Sequence, residues 1–194
     1  MPSEHLDRVY AAQSPEELRQ IYAEWATSYE ADLVKGMGWD KPAKVGAVLL
    51  PYLPVQARIL DVAAGTGLMG TFLHQNGREN VSALDFSPEM LAQAARLGVY
   101  RNFYQHDLLQ PLATERGAND AVTAVGIFTE GHLGAEALPA LRNLLKPAGL
   151  LAFSLRNDLE EPFQQALAEW TLVERREFRE GLEARPWSAW IVRA

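Results

Sequence analysis

"ILDVAAGTGLMG", residues 59–70, is the stretch on which the fold turns. It opens as a short apolar run, Ile59 to Val62, interrupted by Asp61, and then dissolves into small residues. That is the profile of a buried strand running through a tight turn into a helix. Read from Gly65, the string is literally G-x-G-x-x-G, the turn that opens dinucleotide-binding folds. Asp61 at the strand end is an odd neighbour for a pyrophosphate. The loop therefore holds either a phosphate or a group that tolerates an acid nearby.

Outward from this stretch, short apolar strands alternate with helices. "ARILDVA" is a strand and Gly67 to about Gln75 a helix; "VSALDF" is a strand and "SPEMLAQAARLG" a helix. "VYRNFYQHDL" and "NDAVTAVGIF" read as the third and fourth strands. A helix from Ala135 to Lys146, closed by "KPAG", leads to a fifth strand, "LLAFSL". After a helix from Leu159 to Trp170, "TLVERREFRE" and "RPWSAWIVRA" alternate in hydropathy around a turn at Gly181, as an antiparallel hairpin does. The expected fold is α/β: a Rossmann-like, doubly wound, mostly parallel seven-stranded sheet with a C-terminal antiparallel hairpin. Trp187 and Trp190, three apart on the last strand, face opposite sides of the sheet as core residues.

Upstream, "SPEELRQIYAEWATSYEADLVKG" predicts a helix. Ser14 caps it, Pro15 suits the first position, Glu17 completes a capping box and Gly36 ends it. Leu18, Ile21, Tyr22, Trp25, Tyr29 and Leu33 share its apolar face. A second helix runs from Asp40 to about Leu50. One domain is expected over residues 1–194, with a helical N-terminal extension or lid (1–56) on a Rossmann-like core (57–194).

The composition is that of a soluble globular chain: 194 residues, 48% hydrophobic and 22% charged. With no cysteine there is no disulfide or thiolate metal site, and no pair of the four histidines has helical metal-site spacing, so no metal is expected. No stretch resembles a signal peptide or a membrane span, which makes a cytoplasmic location the default and a membrane partner unexpected. The net charge of -7 carries no basic stripe, and "ERREFRE" mixes both signs, which disfavours nucleic acid as a partner.

Two further acids narrow the ligand. Asp85 ends the second strand, where a carboxylate can accept both hydroxyls of a ribose. Asp107 ends the third, where an acid can accept from an adenine amino group. Each has a plainer role, a strand-end turn before Ser87-Pro88 or an Asx turn. Acids at three successive strand ends nevertheless suit a nucleoside that carries positive charge. S-adenosylmethionine fits: its sulfonium and ammonium tolerate acids, and its carboxylate can use the glycine loop and helix terminus.

"ILDVAAGTGLMG", "ALDFSPEML", "YQHDLLQPL" and "LKPAGLLAFSL" together resemble the successive motifs of class I S-adenosylmethionine-dependent methyltransferases. "IYAEWATSYEADL" resembles the N-terminal helix of the methyltransferase-like proteins of the Williams–Beuren region type. The resemblance runs from about residue 5 to the C-terminus. It implies S-adenosylmethionine as cofactor and S-adenosylhomocysteine as product. It further implies that Asp61, Ala63, Gly65 and Gly67 surround the methionine part, and that Asp85 takes the ribose. Phe86 and Met90 would flank the adenine, Asp107 and Leu108 would meet its edge, Gly126 would lie under the cofactor, and Tyr29 would close over the methionyl end. The chain departs from the motif at Ala63, where the first glycine of D-x-G-x-G-x-G is expected, and a residue with a Cβ there is expected to avoid positive φ.

Methyl transfer is an in-line displacement for which a protein supplies proximity, orientation and sometimes a base. After the fourth strand, "GIFTEGHL" lacks the N/D-P-P-Y/F motif of nucleic-acid amino-methyltransferases. His132 and Glu130 in that loop are the candidate bases. The leading expectation is a methyltransferase acting on a small-molecule acceptor. A cofactor-binding protein without transfer activity and a nicotinamide-dependent oxidoreductase are the alternatives. The sequence leaves the acceptor and the oligomeric state open.

Overall fold

The computed structural model describes residues 2–36, 38–110, 116–129, 132–179 and 185–194. Among them, β1 (Ile59–Val62), β2 (Val81–Asp85), β3 (Phe103–Gln105), β4 (Asn119–Phe128), β5 (Leu145–Arg156), β6 (Thr171–Phe178) and β7 (Trp187–Arg193) form one sheet. The order is β3-β2-β1-β4-β5-β7-β6. The first five strands pair in parallel, and β7 inserts antiparallel between β5 and β6. The order reverses between β1 and β4, which opens a crevice at their carboxyl ends.

The central strands are largely apolar because both faces are covered. One face packs on α3 (Lys41–Leu49), α4 (Leu68–Gln75) and α5 (Pro88–Ala95), and it takes Ile59, Ala83, Ala121 and Trp187. The other packs on α6 (Leu138–Leu144) and α7 (Glu160–Ala166), and it takes Leu60, Leu84, Val122 and Phe153, with Trp190 against it. The two tryptophans therefore lie on opposite faces, as their spacing requires.

Several boundaries differ from expectation. The third strand is three residues long, so Asp107 lies beyond its end. Helix α6 stops at Leu144, and "KPAG" belongs to β5. There the register against β4 shifts and Ala148 adopts φ +62°, bulging the strand around Pro147. Helix α7 covers only part of the run to Trp170. The hairpin turn at Gly181 lies outside the described residues.

The N-terminal region holds α1 (Pro2–Ala11), which lies before the helix expected from Ser14 to Gly36, and α2 (Pro15–Trp25), which covers only the first part of that expected helix. Ser14 Oγ accepts the N–H of Glu17 at 3.1 Å, so the start is as expected. The stop is not: the chain turns after Trp25 and re-enters a π-helical turn at Ala31–Lys35. Asp32 ties this turn together: its Oδ2 accepts from Trp25 Nε1 at 2.8 Å and from Ser28 Oγ at 2.9 Å. Val9, Leu18, Ile21, Trp25 and Leu33 form a separate small core, joined to the rest through Trp39 and Phe86.

Candidate functional site

A strand period of two gathers the polar groups on one face. Asp61 follows the inward register of Ile59, Asp85 that of Ala83, and Thr123 that of Ala121, so all three point toward the α4–α5 layer. Asp61 and Thr123 are register partners on adjacent strands, and Thr123 Oγ1 donates to Asp61 Oδ1 at 2.7 Å. Tyr100 donates its hydroxyl to Oδ2 at 2.6 Å, while its oxygen accepts the N–H of Gly70 at 3.1 Å. Burial pushes the Asp61 carboxyl up to about 6, against the pull of the Tyr100 and Thr123 bonds and with a smaller push from Asp85.

Asp85 is held differently. Its two oxygens accept the backbone N–H groups of Gly65 at 2.8 Å and Ser87 at 2.9 Å. Burial again dominates and raises this carboxyl to about 6 despite those bonds. Gly65 has φ +55°, and a Cβ built there would project into open space. Gly67 has φ +100°, but its Cβ would strike Leu97 at 2.7 Å; the bare backbone is needed for packing behind the loop. Ala63 overturns the expectation set for it: its φ is +53°. The turn from β1 into α4 demands the left-handed conformation, and alanine, with the smallest Cβ, accepts its cost of about 1 kcal/mol.

Two cavities flank these residues. The smaller, about 90 Å³, lies over the glycine loop and is lined by Asp61, Ala63, Gly65, Asp85, Met90 and Gly126, with Tyr22, Tyr29 and Trp39 closing it from the N-terminal side. The larger, about 580 Å³, runs from Asp85 and Phe86 past Asp107 and Leu108 to the start of α2. Ala63, Asp85, Phe86, Ile127 and His132 form a wall common to both. Gly126, at φ +83°, lies against the Trp39 indole, 3.1 Å from where its Cβ would stand. Asp107 makes an Asx turn, accepting the N–H of Leu109 at 3.0 Å, and also faces the larger cavity.

Most of the expected residues thus converge at the carboxyl ends of β1, β2 and β4, while Gly67 does not reach either cavity. Glu130 lies outside the described residues. His132 bonds to side chains on both sides: Nε2 lies 2.7 Å from the Tyr22 hydroxyl and Nδ1 lies 2.9 Å from Thr129 Oγ1. Sequence reasoning placed Tyr22 on an apolar face and missed its polar end, for which the spacing along the chain carried no signal. Thr66, Trp39, Tyr100 and Thr123 carried no sequence signal that pointed to the site.

The residues suit S-adenosylmethionine. Buried Thr66 Oγ1 lines the smaller cavity and has no hydrogen-bond partner among the described residues, so a polar ligand would satisfy it. The only charged side chains among the described residues lining that cavity are the carboxylates Asp61 and Asp85, an arrangement that favours a cation and penalises a pyrophosphate. The backbone at Gly65 is open, and Asp85 faces both cavities, where a ribose would bridge them.

Comparison with known proteins agrees. The methyltransferase-domain family matches residues 59–149. The human methyltransferase-like protein 27 is 36% identical over 188 residues, covering 92% of this chain and 76% of that protein. A ubiquinone biosynthesis O-methyltransferase of Xanthomonas axonopodis pv. citri is 32% identical over 131 residues, covering 65% of this chain and 54% of that protein. Among solved structures, the 1,6-didemethyltoxoflavin-N1-methyltransferase of Burkholderia thailandensis, with bound 1,6-didemethyltoxoflavin and S-adenosylhomocysteine, shares the fold at TM-score 0.68 and 19% identity, covering 94% of this chain and 91% of that one. A buried acid pair, an open glycine loop and a relative aligned along nearly the whole chain lead to one conclusion: this chain belongs to the class I S-adenosylmethionine-dependent methyltransferases, with S-adenosylmethionine as its cofactor.

Proposed function

We propose that this methyltransferase acts on a small, neutral or cationic acceptor, reached between the N-terminal helices and the segment after β4, with His132 as the general base. The observation that carries the reading is the place of His132. Its imidazole stands in the wall common to the two cavities and bonds Tyr22 of the N-terminal helices, beside the smaller cavity that would receive the methionyl end. When bound, S-adenosylmethionine supplies a methyl group already activated by the sulfonium. The protein's own part is to orient and to take a proton. Asp85 and Gly65 would hold the ribose and methionyl ends, Asp107 and Leu108 the adenine edge, and Tyr29 and Trp39 would close the site from above. Imidazole has an unperturbed pKa near neutrality, which suits proton acceptance from an acceptor hydroxyl or amine. Glu130, two residues away in sequence, is the second candidate and would serve acceptor binding.

Two relatives support a small acceptor through their names, one in ubiquinone biosynthesis and one carrying 1,6-didemethyltoxoflavin. The net charge of -7 argues in the same direction against a polyanionic acceptor. The helical extension (1–56) and the core (57–194) are read as one working unit, since the cavities need both.

The test is a screen of phenols, amines and thiols with methyl-labelled S-adenosylmethionine. Label is expected on at least one of them. At saturating cofactor, His132→Ala should lower the transfer rate by about a hundredfold or more. A wild-type rate in that variant would leave orientation alone as the driving force and remove His132 as base. Asp85→Ala should weaken S-adenosylhomocysteine binding by about 1.5–3 kcal/mol; unchanged affinity by calorimetry would take Asp85 out of the site.

A further inference from the structure

We infer that Tyr22 is a positioning residue: its hydroxyl fixes the His132 ring across the wall between the two cavities and thereby latches the N-terminal helices over the bound cofactor. The phenol is a fixed point. Its ring stacks on Trp25 with centroids 6.3 Å apart and planes 14° apart, and it meets Phe86 edge-on at 6.3 Å and Tyr29 at 6.2 Å. Burial, with Tyr29 and Asp85 nearby, holds its pKa well above the ordinary tyrosine value, so the phenol keeps its proton. His132 is gripped from the other side by Thr129, through Nδ1 to Oγ1 at 2.9 Å and through its own N–H to the Thr129 carbonyl at 3.1 Å. The chain Tyr22–His132–Thr129 thus links α2 to the segment after β4, through two residues 110 positions apart in sequence.

A neutral imidazole offers one donor and one acceptor, so the two side-chain bonds must run in a single direction. A phenol is a stronger donor than an aliphatic hydroxyl. Tyr22 therefore donates to Nε2, and the ring proton sits on Nδ1, facing Thr129 Oγ1. The nitrogen that a base would use is the one the phenol occupies. Latching and proton acceptance are then alternatives, and an acceptor reaches Nε2 only by taking the place of the phenol.

The inference rests on the cofactor assignment but not on His132 being the base, and its test needs no acceptor. The probe is S-adenosylhomocysteine, with its release measured by stopped flow in the full-length protein. Tyr22→Phe keeps every ring contact and removes one hydroxyl; release should become about three- to tenfold faster, the worth of one hydrogen bond. His132→Ala should speed release to a similar degree, and the double variant should be no faster than the faster single one. Imidazole ¹⁵N shifts should show the Nδ1–H tautomer in the wild type and a shift toward Nε2–H in Tyr22→Phe; Thr129→Val should also disturb it. Unchanged release in Tyr22→Phe, effects that multiply in the double variant, or an Nε2–H tautomer in the wild type would each overturn the latch. None of these results touches the transfer-rate test of His132 as base.

Discussion

Replacing Asp61 with asparagine should make the cofactor-free protein more stable at neutral pH, even though a polar group of the candidate site is altered. The side chain is only 2% exposed, and burial raises its pKa from 3.8 to about 6. At pH values below the unfolded-state pKa the carboxyl is protonated in both states and carries no penalty. As pH rises toward 6 the unfolded chain ionises first and folding stability falls; above 6 the penalty is complete and constant. About two pH units at about 1.4 kcal/mol each put the penalty at about 3 kcal/mol. Asparagine suits this position because both partners, Tyr100 and Thr123, are hydroxyls that can rotate to accept as well as donate. The same change at Asp85 would be worse, since its partners are backbone N–H groups that cannot reverse. The assay is urea unfolding of ligand-free wild type and Asp61→Asn at intervals from pH 4 to pH 8. The stability of the variant relative to wild type should climb by about 2.5 kcal/mol between pH 4 and pH 7 and then level. A difference that stays constant or declines with pH would show that Asp61 ionises in its ordinary range and that the two hydroxyls outweigh burial.

Ala63→Gly should stabilise the fold by up to about 1 kcal/mol by removing a Cβ from φ +53°, partly offset by greater freedom in the unfolded chain; a lower melting temperature would contradict the strain argument. Gly126→Ala should cost about 1–2 kcal/mol, because it combines φ +83° with a Cβ 3.1 Å from the Trp39 ring. It should also shift tryptophan fluorescence, and an unaltered spectrum would mean that Trp39 does not rest there.

The sequence by itself determined the architecture. Strands β1, β2 and β4 are apolar runs buried on both faces, and helices α4 and α5 follow them at their own period. Local patterning of this kind survives because each element must bury its own apolar face wherever it sits. The acids at the strand ends were legible for the same reason: a carboxylate closing an apolar strand stands out. Tertiary structure alone decided which polar groups meet. Thr123 reaches Asp61 because two parallel strands share a register, and Tyr100 reaches it from a loop 39 positions away. Tyr22 meets His132 across 110 positions, and nothing in the spacing of either residue encodes the other. The bulge at "KPAG" was settled in the same way, by pairing with a strand that lies some twenty-five positions earlier. Contacts of this kind exist only once distant segments have been brought together, which no periodicity along the chain can register.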